Sequence, residues 1–163
     1  MDENIVREIC KYIIDNINDD VSLSLIADEF NYNMCHVARK FKDYTGFTIT
    51  EFINECRVYN TIDPLVFTDD TILNIALMHG FNNQEYYSEK FKDVIGTSPL
   101  RFRKAFSILA NKASESTNLD ELKTIREEFE ELKEYQEYLN GASFEFVSKE
   151  EKRMEKPKIL KLQ

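Results

Sequence analysis

The run RKFKDYTG at residues 39–46 returns fifty positions later as EKFKDVIG at residues 89–96. Both copies carry Lys-Phe-Lys-Asp and then a glycine three positions on. A chain that writes one device twice folds so that one small unit serves in two places, and that narrows the plans open to it. The copies differ at their first position, Arg39 against Glu89.

Apolar spacing places each octamer at the end of a helix. Ile5, Ile9, Tyr12, Ile13 and Ile17 fall at helical steps, predicting a first helix over about Glu3 to Asn16. Ser22 is positioned as an N-cap for a helix bearing Leu23, Ile26, Ala27 and Phe30, broken by Asn31-Tyr32-Asn33. Asn33 then caps a helix with Val37, Phe41 and Tyr44 inward, closed by Gly46, where a left-handed residue is easiest for glycine. Thr48-x-x-Glu51 reads as a capping box for the next helix, with Phe52, Ile53 and Cys56 inward. The second copy follows suit. Thr71 caps a helix with Ile72, Ile75 and Ala76; His79-Gly80 closes it and Phe81 packs back. Asn83 caps a helix with Tyr87, Phe91 and Val94 or Ile95 inward, Gly96 stops it, and Ser98-Pro99 opens another. Two short helices joined by a three- or four-residue turn describe a helix-turn-helix, here twice. Its outward face would enter the DNA major groove while flanking basic side chains hold phosphates. The alternative is a generic helical bundle that uses one packing device twice.

Composition agrees with an all-α fold, since 163 residues include only four glycines and three prolines. No apolar run reaches the ~18 residues of a membrane span and no signal peptide is evident, so a soluble, cytoplasmic protein without a membrane partner is expected. Cys10, Cys35 and Cys56 stand apart, with no C-x-x-C pair, and His36 and His79 do not complete a metal-ligand cluster. No metal or cofactor is implied. No Gly-rich phosphate loop, activated nucleophile or catalytic carboxylate pair is recognisable, so an enzyme is not expected. The formal charge of −9 argues against nucleic acid in bulk, but the face shown to the phosphates decides the matter.

The second half, ILNIALMHGFNNQEYYSEKFKDVIGTSPLRFR, closely resembles the AraC/XylS family of bacterial transcription regulators: Ile-x-x-Ile-Ala, Gly-Phe, Phe-Lys, Gly, Ser-Pro and a closing aromatic-Arg stand at the family's spacing. The first half agrees through Ala27, Phe41-Lys42, Gly46 and Arg57. The resemblance covers roughly Ile5 to Lys104. It implies a DNA-binding domain over residues 1–104, with one helix-turn-helix at about 5–47, a linker helix at about 48–66 and a second helix-turn-helix at about 70–104. It implies double-stranded DNA as partner and a role in transcription regulation. The first recognition helix would be about Met34–Tyr44, turning Cys35, His36, Ala38 and Arg39 to the groove with Lys42 near phosphate. The second would be about Gln84–Val94, turning Gln84, Glu85, Tyr86 and Glu89 to the groove with Ser88 and Lys92 toward the backbone. Thr97 to Arg101 would offer backbone N–H groups, and Arg101 its side chain, to a phosphate. Many family members carry an effector-binding domain ahead of this region; none is expected before a pattern that begins at Ile5.

Three positions depart from the family. Glu89 stands where arginine is usual, and Glu85 adds a second acid on that face. Either Glu89 accepts a hydrogen bond from cytosine N4, or the second module makes little base contact and Arg39 does most of the reading. Pro64 falls inside the linker helix, so that helix either ends near Ile62 or kinks. The other functional reading is an interaction module that has weakened or lost DNA binding and modulates the transcription machinery, RNA polymerase included, or another regulator.

Residues 105–163 form a charged extension. The last family helix is expected to continue through Phe106, Ile108 and Leu109, followed by a polar stretch. Leu119–Asn140 reads as a helix ending at Gly141, with Leu122, Ile125, Phe129, Leu132 and Leu139 making a seam about three heptads long. That seam could pair in a homodimer through residues 119–140 or fold back as a brace. Glu127-Glu128 and Glu130-Glu131 read as the helix's wet face. Phe144-x-Phe146-Val147 and Ile159-Leu160-x-Leu162 could form a short strand pair, with Lys149–Lys158 solvated between them.

Overall fold

The computed structural model describes residues 1–110, 118–141 and 155–162. Among the described residues the fold is all-α, with no strand. The helices are α1 (Glu3–Asp15), α2 (Leu23–Phe30), α3 (Met34–Thr45), α4 (Ile49–Asn60), α5 (Ile62–Phe67), α6 (Ile72–Met78), α7 (Gln84–Ile95), α8 (Pro99–Phe106) and α9 (Leu119–Asn140). Two compact units divide within α4 and α9: Met1–Arg57 with the end of α9 from Glu137, and Val58–Gln136 with the segment from Lys156.

In the first unit the expected caps close the helix ends. Ser22 Oγ accepts from the Leu25 N–H and Asn33 Oδ1 from the Cys35 N–H. Thr48 and Glu51 form the reciprocal box, with contacts of 2.9 and 3.0 Å; such a cap contributes about 1 kcal/mol. Between α2 and α3 the chain turns on Asn31 at φ 56°, and the Tyr32 N–H donates back to the Ala27 carbonyl. Gly46, at φ 77°, ends α3. Val37, Phe41 and Phe52 are fully buried, and each such side chain contributes about 1.5–3 kcal/mol. Tyr44 is only half-buried; Thr45 takes the inner place, its hydroxyl donating to the Phe41 carbonyl. Arg57 spends its guanidinium on the Ile17 and Asp19 carbonyls, tying α4 to the loop after α1.

The second unit repeats the plan. From Val37 to Thr50 and from Tyr87 to Leu100 the fourteen positions match one for one in burial. Here Gly80, at φ 88°, does the work of Asn31, and the Phe81 N–H donates to the Ala76 carbonyl as Tyr32 does to Ala27. Asn82 makes this turn one residue longer before the Asn83 cap, whose Oδ1 accepts from the Tyr86 N–H.

Pro64 breaks the linker helix. Its ring nitrogen has no hydrogen for the Asn60 carbonyl, so α4 stops at Asn60 and α5 begins at Ile62. Pro64 then sits in the first turn of α5, where a missing N–H is harmless. Thr61, buried at the break, donates to the Val58 carbonyl and accepts from the Tyr87 hydroxyl (2.7 Å). Arg103 donates to the carbonyls of Leu65, Pro64 and Thr68 and so satisfies the C-terminal end of α5.

The extension departs from expectation in several places. α8 ends at Phe106, and Ser107–Leu109 tighten into a 3-10 turn, the Ala110 N–H donating to the Ser107 carbonyl. α9 runs to Asn140 before Gly141 as expected, and its seam is used inside the chain. Ile125, Leu132, Tyr135 and Leu139 are buried. Within the second unit Phe129 meets Phe67 edge-on, Tyr135 packs at 5.1 Å from Tyr59, and Lys133 reaches Asp63 at 2.7 Å. The brace is thus the arrangement the structure holds. Glu128 is buried rather than wet, because it falls on the inner stripe with Ile125 and Leu132. Ile159–Leu162 forms no strand: Leu160–Leu162 make a 3-10 turn, with Ile159 buried just before it. Its expected partner at Phe144–Val147 lies outside the described residues. No helix among the described residues is long and apolar enough to cross a membrane.

Candidate nucleic-acid interface

The outward faces of α3 and α7 follow from what their inner faces bury. On α3, Val37 and Phe41 are held in the core, so Cys35, Arg39 and Lys42 are exposed and His36 and Ala38 half-buried. Cys35, Ala38, Arg39 and Lys42 line one concavity of about 510 Å³ with Leu23, Asp43 and the start of α4. His36 stacks on Tyr32 with ring centroids 5.9 Å apart. Its Nδ1 stands 3.3 Å from Arg39 Nη2 and accepts from that guanidinium. Partial desolvation, then the positive N-terminus, Arg39 and Lys40, push the His36 pKa below its ordinary value, which favours the neutral ring this contact requires. The Cys10 thiol, by contrast, is pushed up to about 12 by burial, and the buried Cys56 thiol upward as well, so neither is a nucleophile.

On α7, Tyr87, Phe91 and Ile95 are buried, leaving Gln84, Glu85, Tyr86, Glu89 and Lys92 exposed and Ser88 half-buried. Lys90 lies over the Tyr86 ring, 5.4 Å from its centroid, and contacts Glu89 at 3.9 Å and Asp93 at 3.6 Å. Lys90 has an acid at both places, Glu89 and Asp93, whereas its octamer counterpart Lys40 has one only, Asp43, with Arg39 standing where Glu89 does. α3 carries Arg39, Lys40 and Lys42 against Asp43 alone; α7 carries Lys90 and Lys92 against Glu85, Glu89 and Asp93. Arg101 is exposed in the first turn of α8, where Ser98 Oγ accepts from its backbone N–H. The structure thus groups the first five candidate side chains on α3 and the next six on α7, with Arg101 apart on α8. The family's closing arginine, Arg103, faces inward to α5.

Two exposed helix faces on twin capped scaffolds, one basic and one mixed, agree with comparisons to other proteins. A helix-turn-helix domain model matches residues 26–105. A probable transcription factor of Proteus vulgaris, PqrA, is 34% identical over 105 residues, covering 63% of this chain and 86% of that protein. This chain belongs to the AraC/XylS family of DNA-binding transcription regulators. Uncharacterized HTH-type regulators of Staphylococcus aureus are 28% identical over 103 residues, yet the match spans only 14% of their length. Among solved structures, the C-terminal domain of AraT, a response regulator from Geobacillus stearothermophilus, is similar with TM-score 0.60 at 27% identity. That match covers 71% of this chain and 92% of that domain.

Proposed function

We propose that this regulator reads a specific duplex site with the outward faces of α3 and α7, and that Arg39 is its principal base reader. The observation that supports this most is the setting of Arg39. It is exposed on a helix anchored by Val37 and Phe41, and His36 holds its guanidinium from one side. A pre-oriented guanidinium suits bidentate contact with guanine O6 and N7. Cys35, His36 and Ala38 complete that groove face, and Lys42 meets phosphate. In the second module Gln84, Glu85, Tyr86 and Glu89 face the groove, while Ser88, Lys92 and Arg101 face the backbone. Base contact there is lighter, because two acids share the face.

Selection of bound sites from random duplexes with purified protein should return a defined motif, and its binding should weaken steeply as salt rises. Arg39→Ala should cost about 1–3 kcal/mol on that motif and relax its preference at one base pair. Salt-independent binding, or selection without a motif, would refute the reading.

The protein works in the cytoplasm as a regulator and not as an enzyme. RNA polymerase is its further partner. The support is the outer face of α6, where Leu73, Leu77 and Met78 are exposed while α2 carries Ser24, Asp28 and Glu29 at the matching places. Leu77→Glu should therefore leave DNA affinity intact and reduce activation in a reconstituted transcription assay. A homodimer through residues 119–140 would have to use the charged outer face of α9, since the seam is buried, and the buried seam supports action as a monomer.

A further inference from the structure

The second module faces DNA with a deficit of positive charge. Of the two lysines on α7, Lys90 is engaged with Glu89, Asp93 and Tyr86, and the nearby Arg103 is taken up by the end of α5. Residues 156–161, Lys-Pro-Lys-Ile-Leu-Lys, are the counterweight: three lysines and no acid in a chain whose net charge is −9. This segment is docked. Pro157, Lys158 and Ile159 line one pocket with Ile95, Gly96 and Thr97, at the turn between α7 and α8. Leu162 lines the next concavity with Arg101 and Lys104. The segment therefore packs beside the turn between α7 and α8 and the start of α8. Ile159 is its buried anchor, while Lys156 and Lys158 are exposed. Among the described residues no comparable segment lines the concavity beside the first turn of α4, where α3 carries its own Arg39 and Lys42.

We propose that Lys158 forms a DNA-backbone contact of the second module, on a strap pinned by Ile159, and supplies phosphate charge that α7 lacks. The proposal rests on the DNA-reading function above. It adds no base readout, since lysines on phosphates position a protein without carrying sequence information.

The test is a titration of the full-length protein against the selected site and against a random-sequence duplex, from about 50 to about 200 mM salt. The slope of log K against log salt should become shallower by about one in K158Q. At about 0.15 M salt the contact should be worth on the order of fivefold, on both duplexes alike. Base preference should be unchanged. Ile159→Asn removes no charge but unpins the strap, and it should lose affinity and slope as K158Q does. An unchanged slope in K158Q, tighter binding (a strap that shields the turn), or an Ile159→Asn protein that binds like wild type would each overturn the proposal. If wild type shows salt-sensitive binding that Arg39→Ala weakens while the strap variants bind normally, the strap alone fails. If wild type shows no salt-sensitive duplex binding, the DNA-reading function fails and the strap with it.

Discussion

Glu89 occupies the place in α7 that Arg39 holds in α3, and replacing it measures what that exchange does to binding. Its side chain is 68% exposed, and its near cation, Lys90 at 3.9 Å, is shared with Asp93 at 3.6 Å. The carboxylate charge is therefore not cancelled on the groove face. With α7 in a groove, one charge about 8 Å from a phosphate repels it by ~0.5 kcal/mol in water. Two or three phosphates lie at such distances, giving about 1 kcal/mol at low salt and less than half of that at ~0.15 M, where the Debye length is ~8 Å. Glu89→Gln should thus tighten binding about fivefold at low salt and about twofold at physiological salt. Glu89→Arg changes two charges, doubles the free energy, and gives roughly 30-fold and fivefold. Because phosphates carry no sequence information, the gain should appear equally on the selected site and on a scrambled duplex. Folding stability should barely move, since exposed pairs such as Glu89–Lys90 contribute about 0–1 kcal/mol. Fluorescence anisotropy with both duplexes at two salt concentrations reads all of this. No gain at low salt from either variant, or a gain indifferent to salt, would refute the electrostatic reasoning. A change confined to one base pair would instead assign Glu89 a base contact such as cytosine N4.

Other outcomes follow from single sites. Gly96→Ala should lose about 1–2 kcal/mol in urea unfolding, because φ is 100° while nothing lies within 4 Å of the new Cβ; a larger loss would mean a clash the structure does not contain. Leu132→Ala should cost about 2–5 kcal/mol and leave the protein monomeric on sizing, as expected of a seam closed within one chain. His36 should titrate below the ordinary histidine value by NMR, and nearer to it in Arg39→Ala. The folded state binds this proton less readily than the unfolded chain, so stability falls as pH drops through the ordinary histidine range toward the depressed value, and no further below it.

The repeated units were legible because each rests on local chemistry that sequence displays: Ser22, Asn33, Thr71 and Asn83 as caps, Gly46 and Gly96 as stops, Phe41 and Phe91 as anchors. Pro64 announced a break, and the missing bond to Asn60 fixed where it fell. Less legible were features that depend on distant partners. Periodicity marked Leu122, Ile125, Phe129 and Leu132 as a seam but could not say whether the mate lay in a second chain or in Tyr59, Phe67 and Phe106. Glu128 looked solvated because its neighbours in sequence are acids, yet helical phase places it beside Ile125 and Leu132. The alternation of Ile159-Leu160-x-Leu162 suggested a strand, and only the pocket at Gly96 and Thr97 gives Ile159 its place. The outward faces of α3 and α7 follow from burial; which residues meet bases is a property of the DNA complex and is not written in either helix alone.

The two modules act as an internal control on what this scaffold requires. Over fourteen positions their burial is the same, and where the interior differs the exchange stays compatible with the core, Val37 for Tyr87 and Thr45 for Ile95. The outer positions obey no such restraint: Arg39 becomes Glu89, Cys35 becomes Glu85, Asp28 becomes Leu77 and Glu29 becomes Met78. Packing cannot explain those exchanges, because the same backbone tolerates either residue in water. Under the proposed function they are a division of labour, in which one module keeps the charge for reading DNA. The other carries Glu85 and Glu89 on its exposed face and apolar side chains on the outer face of its first helix, and in the proposed complex Arg101 and Lys158 hold it to the phosphates.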